Sequence, residues 1–415
     1  MDDQLVPNSY GEHWPLILRA DNVSKLAGIV DDVHDLKVLV VDDKANMRRT
    51  VKSMLRAMGF HKFADADDGD VALRMIESEP FDMVICDWNM PRMKGVSILR
   101  EIRKDKKYDD MPFLMVTGEV EESRVAESIE AEVDAYIIKP FQIQTLEEKL
   151  IQILSKRRAP SALDLLFKEA EEHRSHAQYG MAHKALDKAA QIRPRSPMLH
   201  YQRGLVFEAE RKPAEAEKCF ALAKQIGPLF IRAHDKLAHI HQARGRTAEV
   251  CNILQEAIKV SPNNANRQIR YGRALLVEKR YEEARKAFKK AISLDKDNQN
   301  RKLAIGQTYL QHNLVADAEG VFKQFVEEHP NNTEAYNRLG MVLRKMGKHD
   351  EAIKYYRHAL TLNPQDQNLH FNLARVYIEI NRKDMSSVHL RKALEIDPGF
   401  NEARNLLAQM KTGEY

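Results

Sequence analysis

The sequence predicts two fold classes in one chain: a doubly wound α/β domain with a parallel five-stranded sheet, followed by an all-α solenoid of helical hairpins. Three observations predict them. Between residues 36 and 155, short apolar runs alternate with amphipathic stretches, the pattern of a parallel sheet covered by helices on both faces. Several of those runs end in residues able to do chemistry. From residue 163 to residue 400, prolines keep one 34-residue register, the spacing of stacked supersecondary units.

The first three predicted strands cover residues 38–41, 62–66 and 83–86, followed by helices over 46–58, 71–78 and 96–104. Two more strands, 113–116 and 136–138, precede helices over 123–132 and 143–153. Residues 1–35 form an extension without clear periodicity, in which Trp14 to Leu18 could pack as a small element. In open α/β sheets, ligands gather beyond the carboxyl ends of the strands. Those ends carry Asp42, Asp43, Asp87, Thr117 and Lys139, and Pro91 stops the third strand from continuing in sheet. Three carboxylates at one edge repel one another unless a cation sits between them. A small hard-cation pocket with one carboxylate free to act as nucleophile is therefore expected.

Val-Leu-Val-Val-Asp-Asp at 38–43, Asp-Trp-Asn-Met-Pro at 87–91, Val-Thr-Gly-Glu at 116–119 and Tyr-Ile-Ile-Lys-Pro-Phe at 136–141 stand in the right order on the right strands. This set resembles the receiver domain of bacterial two-component response regulators, a flavodoxin-like fold, over residues 36–155. The resemblance implies that Asp87 accepts a phosphoryl group from a histidine kinase or phosphotransfer protein. It implies a Mg²⁺ site in which Asp43 binds directly, Asp42 through water, Asp87 by its carboxylate and Asn89 by its backbone carbonyl. Lys139 and Thr117 would contact phosphoryl oxygens, Tyr136 would move with Thr117, and the Lys139-Pro140 peptide would be cis. Asn89 and Glu119 resemble the pair found in the fast-dephosphorylating chemotaxis regulator, which implies a short-lived phosphorylated form.

Residues 156–162 read as a short, stiff linker stopped by Pro160. Prolines then stand at 194, 228, 262, 330, 364 and 398, with Lys296 in the same register. Small residues recur 24 positions earlier, from Ala170 through Gly204, Ala238, Gly272, Gly306 and Gly340 to Ala374, and Phe220, Phe288, Phe322 and Tyr356 recur beside them. Small residues at fixed points on two helices let those helices approach closely. The pattern resembles seven tetratricopeptide repeats over 163–400, with a capping helix and tail over 401–415. The register places Tyr201, Arg232, Arg273 and Met341 on the face that would line a groove. Arg344, Phe371 and Arg375 join them, a mixture suited to a peptide with acidic and apolar side chains.

Composition narrows the function. The 415 residues are 43% hydrophobic and 30% charged, and no apolar run approaches the roughly 20 residues of a membrane span, so no membrane insertion is expected. Cys86, Cys219 and Cys251 form no paired motif, which disfavours a disulfide framework. Met1-Asp2-Asp3-Gln4 lacks the basic character of a secretory leader, and a cytoplasmic place is expected. Residues 1–160 carry 23 Lys and Arg against 30 Asp and Glu, while the remainder carries 42 against 31. The basic excess is diffuse and no recognition helix, zinc module or stacking platform appears, so no nucleic acid is expected as partner. Three functions fit: a response regulator whose phosphorylation modulates protein binding by the repeats, a phosphate sink that diverts phosphotransfer from another regulator, and a constitutive scaffold. No second nucleophile-and-base set appears, so enzymatic activity is confined to autophosphorylation from a phosphodonor and self-dephosphorylation. Oligomeric state is left open by the sequence.

Overall fold

A computed structural model describes residues 33–108, 111–118, 133–158, 160–294 and 298–412. The element expected near Trp14, the helix expected over 123–132, Glu119 and Lys296 lie outside these residues. Five strands, β1 (Lys37–Val41), β2 (Lys62–Ala66), β3 (Met83–Asp87), β4 (Phe113–Thr117) and β5 (Ala135–Ile138), form one parallel sheet in the order β2-β1-β3-β4-β5. Helices α1 (Ala45–Ala57), α2 (Gly69–Ser78), α3 (Gly95–Ile102) and α4 (Ile143–Arg158) accompany it. The chain winds outward from β1 to β2 in one direction and from β3 to β5 in the other. The neighbours β1 and β3 are thus the switch point of the sheet, where a crevice opens beyond their carboxyl ends.

Alternation of side chains along each strand explains why the apolar runs are continuous. Val38 and Val40 of β1 share a core with Val51 and Leu55 of α1 and Leu146 and Leu150 of α4. Leu39 and Val41, pointing the other way, join Ala72 and Ile76 of α2 and Val96 and Leu99 of α3. Both faces are covered at the middle of the sheet, so β1, β3 and β4 are apolar along their buried runs, while the edge strand β2 carries Lys62 and Asp65. β3 and β4 each run one residue beyond the predicted span, so that Asp87 and Thr117 belong to the ladder itself. Their backbones are fixed by the neighbouring strands rather than by a loop.

Helix α4 runs on to Arg158, and the next helix, α5 (Ala162–Ser175), starts at the Ser161 cap, whose hydroxyl accepts from the Asp164 amide. Beyond it the chain is all helix. It comprises α6 (Tyr179–Ile192), α7 (Pro197–Ala209), α8 (Pro213–Ile226), α9 (Ile231–Ala243), α10 (Thr247–Val260), α11 (Ala265–Val277), α12 (Tyr281–Leu294) and α13 (Gln299–Gln311). There follow α14 (Val315–Glu328), α15 (Thr333–Lys345), α16 (His349–Leu362), α17 (Gln367–Glu379), α18 (Lys383–Ile396) and α19 (Asn401–Thr412). The chain divides into two compact units, 1–246 with 255–262 and 247–254 with 263–415.

Local chemistry repeats with the helices. Ser196, Asn264, Asn298, Asn332 and Asp366 cap the first helix of their hairpins with a side-chain oxygen on a backbone amide, each contributing about 1 kcal/mol. Between the two helices of each hairpin stands one residue with left-handed backbone: Ala177, Arg211, Gly245, Lys279, Asn313, Gly347 and Asn381, each 34 after the one before. The expected close approach is present where glycine faces a ring. A Cβ on Gly204 would lie 2.5 Å from Phe220, one on Gly272 2.7 Å from Phe288, one on Gly306 2.4 Å from Phe322 and one on Gly340 2.7 Å from Tyr356. Where alanine replaces the glycine, leucine replaces the ring: Ala170 shares a core with Leu186, and Ala374 with Leu390. The pair conserves volume, which a close-packed interior demands.

Candidate functional site

The switch point brings Asp42, Asp43 and Asp87 together, with one carboxylate oxygen from each lying within 4.8 Å of the others. Asp42 and Asp87 are buried and Asp43 is half-buried. Lys139, just beyond β5, reaches across the crevice and places its Nζ 2.7 Å from Asp42 Oδ2 and 2.8 Å from Asp87 Oδ1. The Lys139-Pro140 bond is cis. Thr117 closes β4 and is 5% exposed. Asn89 is exposed, two residues past Asp87. Tyr136 is half out of the sheet at 36% exposure, with the Lys149 ammonium 6.0 Å from its ring centroid.

Electrostatics follow from this geometry. Burial raises the Asp87 carboxyl above its usual range; the Lys139 ammonium opposes the rise, and Asp42 and Asp43 add to it. Burial alone would depress Lys139, but its hydrogen bonds to Asp42 and Asp87 outweigh that and hold it above its usual value. The adjacent Cys86 thiol is pushed well up, first by burial and then by Asp87 and Asp42, so it stays protonated and inert. Three carboxylates against one ammonium leave a surplus of negative oxygen donors around one point. That donor set fits a hard divalent ion such as Mg²⁺, which takes few carboxylates and keeps waters.

Several positioning groups were not anticipated from sequence. The Arg48 guanidinium donates to the Asp42 carbonyl at 2.7 Å and the Asp43 carbonyl at 3.4 Å, and also to Asp65 Oδ2 at 3.0 Å, pinning the turn after β1. The Lys44 amide donates to Asp42 Oδ1 at 2.8 Å, which aims that carboxylate. Past β3, Arg92 Nε donates at 2.8 Å to the buried Asp68, which caps α2, tying the segment beyond Asp87 to the start of that helix. Gly95 passes so close that a Cβ would lie 2.2 Å from the Asp87 carbonyl oxygen. A glycine opening the helix that follows β3 was the one signal available in sequence.

The residues expected to line a groove lie in both units, and several have partners within the chain. Tyr201 sits 5.2 Å from Phe230 and 5.6 Å from Phe220, ring centroid to centroid, and is half-buried. Arg232 and Met341 are also half-buried. Arg273 Nε donates to Thr308 Oγ1 at 3.4 Å, and Arg344 is ion-paired with Glu379. Phe371 packs 5.1 Å from Phe400, with the Arg375 guanidinium 5.8 Å from its ring centroid. No described helix is long and apolar enough to cross a membrane.

The family described as the response regulator receiver domain matches residues 38–151. A tetratricopeptide family described as the cytochrome c-type biogenesis protein H TPR domain matches 252–370, and the general tetratricopeptide repeat family matches 343–410. The chemotaxis protein CheY of Pseudomonas aeruginosa is 44% identical over 121 residues, which are 29% of this chain and 98% of that protein. Among solved structures, chemotaxis response regulator CheY4 of Vibrio cholerae is similar at 32% identity and a TM-score of 0.27, covering 28% of this chain and 98% of its own. YrrB, described as a TPR protein with an unusual peptide-binding site, is similar at 20% identity and a TM-score of 0.34, covering 46% of this chain and 98% of its own.

Proposed function

Because the chain belongs to the response regulator family, with tetratricopeptide repeats behind its receiver domain, we propose that phosphorylation of Asp87 modulates protein binding by those repeats. The observation that carries this reading is the meeting of Asp42, Asp43 and Asp87 with the Lys139 ammonium between two of them. A carboxylate oxygen of Asp87 attacks the phosphorus of a phosphohistidine on a kinase or phosphotransfer protein. The new O–P bond forms as the P–N bond breaks, and its electron pair returns to the imidazole. Lys139 already bridges Asp42 and Asp87, so a small rotation carries its charge to a phosphoryl oxygen. Thr117, at the end of the adjacent strand, offers a hydroxyl to another. Asp42, Asp43, Asp87 and the Asn89 carbonyl would hold Mg²⁺, which when bound neutralises charge on the phosphoryl oxygens.

The added charge biases two arrangements of the face that carries Thr117 and Tyr136, and through α4 the neighbouring helices. Asn89 and Glu119 tune how quickly water removes the phosphoryl group. The repeats take protein or peptide ligands, with Tyr201 and Arg232 as candidate contacts of the first unit by itself and Arg273, Met341, Arg344, Phe371 and Arg375 as those of the second by itself. The chain acts as a regulator, its own chemistry confined to gaining and losing that phosphoryl group.

The test is direct. Purified protein with Mg²⁺ and a small-molecule phosphodonor should gain one base-labile phosphoryl mass at Asp87, and Asp87→Asn should not. A wild-type protein that stays unmodified sinks the reading. If modification occurs but partner affinity is the same with and without it, only the coupling to the repeats fails.

A further inference from the structure

Where the turn after α7 meets the end of α9, the first unit opens a cavity of about 350 Å³. Its walls are apolar, formed by Pro213 and Ala216 of α8 and Ile240 and Ala243 of α9. That volume is in the range of small ligand pockets, wide enough for one large apolar side chain. Arg211 stands at its mouth with φ 60°, in the left-handed region. The same place in other hairpins holds Gly245, Asn313, Gly347 and Asn381, residue types that tolerate this backbone, and Ala177 and Lys279, which like Arg211 bear its cost. Arginine does not, so its backbone carries a steric penalty here, and its side chain is among those that line the cavity.

The charges around the mouth are unbalanced. Glu208 is engaged by Lys236 at 2.5 Å, and Arg244 by Glu217. Arg211 and His239 are exposed and have no side-chain hydrogen bond or ion pair among the described residues. An apolar hole with unpaired donors at its rim calls for an apolar group beside an acceptor. We propose that this cavity receives a large apolar side chain from a peptide segment of a partner protein, with a carboxylate next to it held by Arg211. The proposal rests on the reading that the repeats bind protein, and is independent of phosphorylation at Asp87.

The test uses the full chain with ¹³C-methyl labels on alanine and isoleucine, titrated with acetyl-Phe-Glu-amide. The methyl signals of Ala216, Ile240 and Ala243 should shift together. Acetyl-Phe-Gln-amide should bind roughly three- to fivefold more weakly, as for loss of one exposed charge pair, and acetyl-Ala-Glu-amide should produce no shift. Arg211→Gly should weaken binding of the Glu peptide by the same factor while raising the melting temperature, because glycine relieves the backbone. A purely structural role would move the melting temperature and leave affinity alone. Ala243→Leu should fill the hole and abolish binding with an unchanged helical spectrum. Absent shifts, equal affinity for the Glu and Gln peptides, or undiminished binding by Arg211→Gly would each overturn the proposal. Shifts that follow protein concentration rather than peptide would assign the cavity to a second copy and overturn it equally. The titration is run on wild-type protein that has met no phosphodonor, so failure here and failure of the phosphorylation reading are separate results.

Discussion

Both halves of the chain bring groups into close approach, but they do it with different materials. In the receiver the crowding is electrical: Asp42, Asp43 and Asp87 converge and are held by one ammonium, and Gly95 lets the following chain pass against the Asp87 carbonyl. In the repeats it is steric: a ring is pressed onto a glycine, at Gly204, Gly272, Gly306 and Gly340. The first arrangement is used once and stores unneutralised charge, which a ligand can relieve. The second is used repeatedly and stores nothing, because shape alone is satisfied. This contrast is the reason for proposing the switch in the receiver and the recognition surface in the repeats.

The largest expected effect breaks the electrical side. Asp87→Asn should abolish phosphoryl incorporation measured by intact-protein mass, since Asp42 and Asp43 follow β1 and neither takes the place of the carboxylate that ends β3. The same substitution should leave the helical melting of the repeats where it was. Loss of both together would mean that the two halves fold as one cooperative body and that the contrast drawn above is wrong.

Next comes the steric side. Gly306→Ala would put a methyl 2.4 Å from the Phe322 ring and should destabilise by about 1–3 kcal/mol in chemical unfolding. The chain contains its own remedy, because Ala374 shares a core with Leu390 where other hairpins use glycine and a ring. Gly306→Ala with Phe322→Leu should recover most of the loss. A double variant no better than the sum of the singles would show that volume exchange is not what links these positions.

How much of this was legible in the sequence depends on what kind of fact each residue is. Asp42, Asp43, Asp87, Thr117 and Lys139 were readable because each ends an apolar run, and the ends of parallel strands converge by topology. Arg48 and the Arg92–Asp68 pair were not, because their contacts depend on turn conformations that no period encodes. The proline and small-residue registers were plain, yet the left-handed register from Ala177 to Asn381 escaped notice. Its occupants are alanine, arginine, glycine, lysine and asparagine, which share a dihedral angle and no chemistry. Tyr201, assigned to a groove by register, also packs beside Phe220 and Phe230, a sideways contact that spacing alone does not reveal.

Acid should separate the halves by sign. Burial holds Asp87 above its usual range in the metal-free fold, so the folded receiver binds that proton more tightly than the unfolded chain. Its contribution favours folding below the ordinary carboxylate pKa and is lost as pH rises through the raised value. In the repeats His389 is depressed to about 4, by burial, then by His370 and Arg357, with the two imidazole Nδ1 atoms 3.0 Å apart. That contribution is present above the unfolded histidine value and is lost as pH falls from about 6.5 toward 4. Allowing for its partial exposure, about 1–2 kcal/mol should disappear from the repeats across that window. His389→Gln should flatten the slope in pH-resolved melting, and an unaltered slope would place the acid sensitivity elsewhere.

The smallest effect sharpens the comparison most, because it isolates backbone from side chain. Lys279 has φ 58°, a left-handed conformation that costs an ordinary residue about 1–2 kcal/mol. Glycine removes that strain but gives the unfolded chain more freedom, worth about 0.4–1 kcal/mol in the other direction. Lys279→Gly should therefore stabilise by roughly 0.8 kcal/mol, the difference between the centres of the two ranges. The reverse substitution supplies the control. At Gly347, φ 73°, an added Cβ would meet nothing within 4 Å, so Gly347→Ala adds strain without a clash and should destabilise by a similar amount. Gly306→Ala, on a right-handed helical backbone, adds a clash without strain and should cost more. If Gly347→Ala and Gly306→Ala prove equally harmful in urea unfolding, crowding at the rings is not what holds the hairpins together, and the turns carry as much of the repeat's definition as its core.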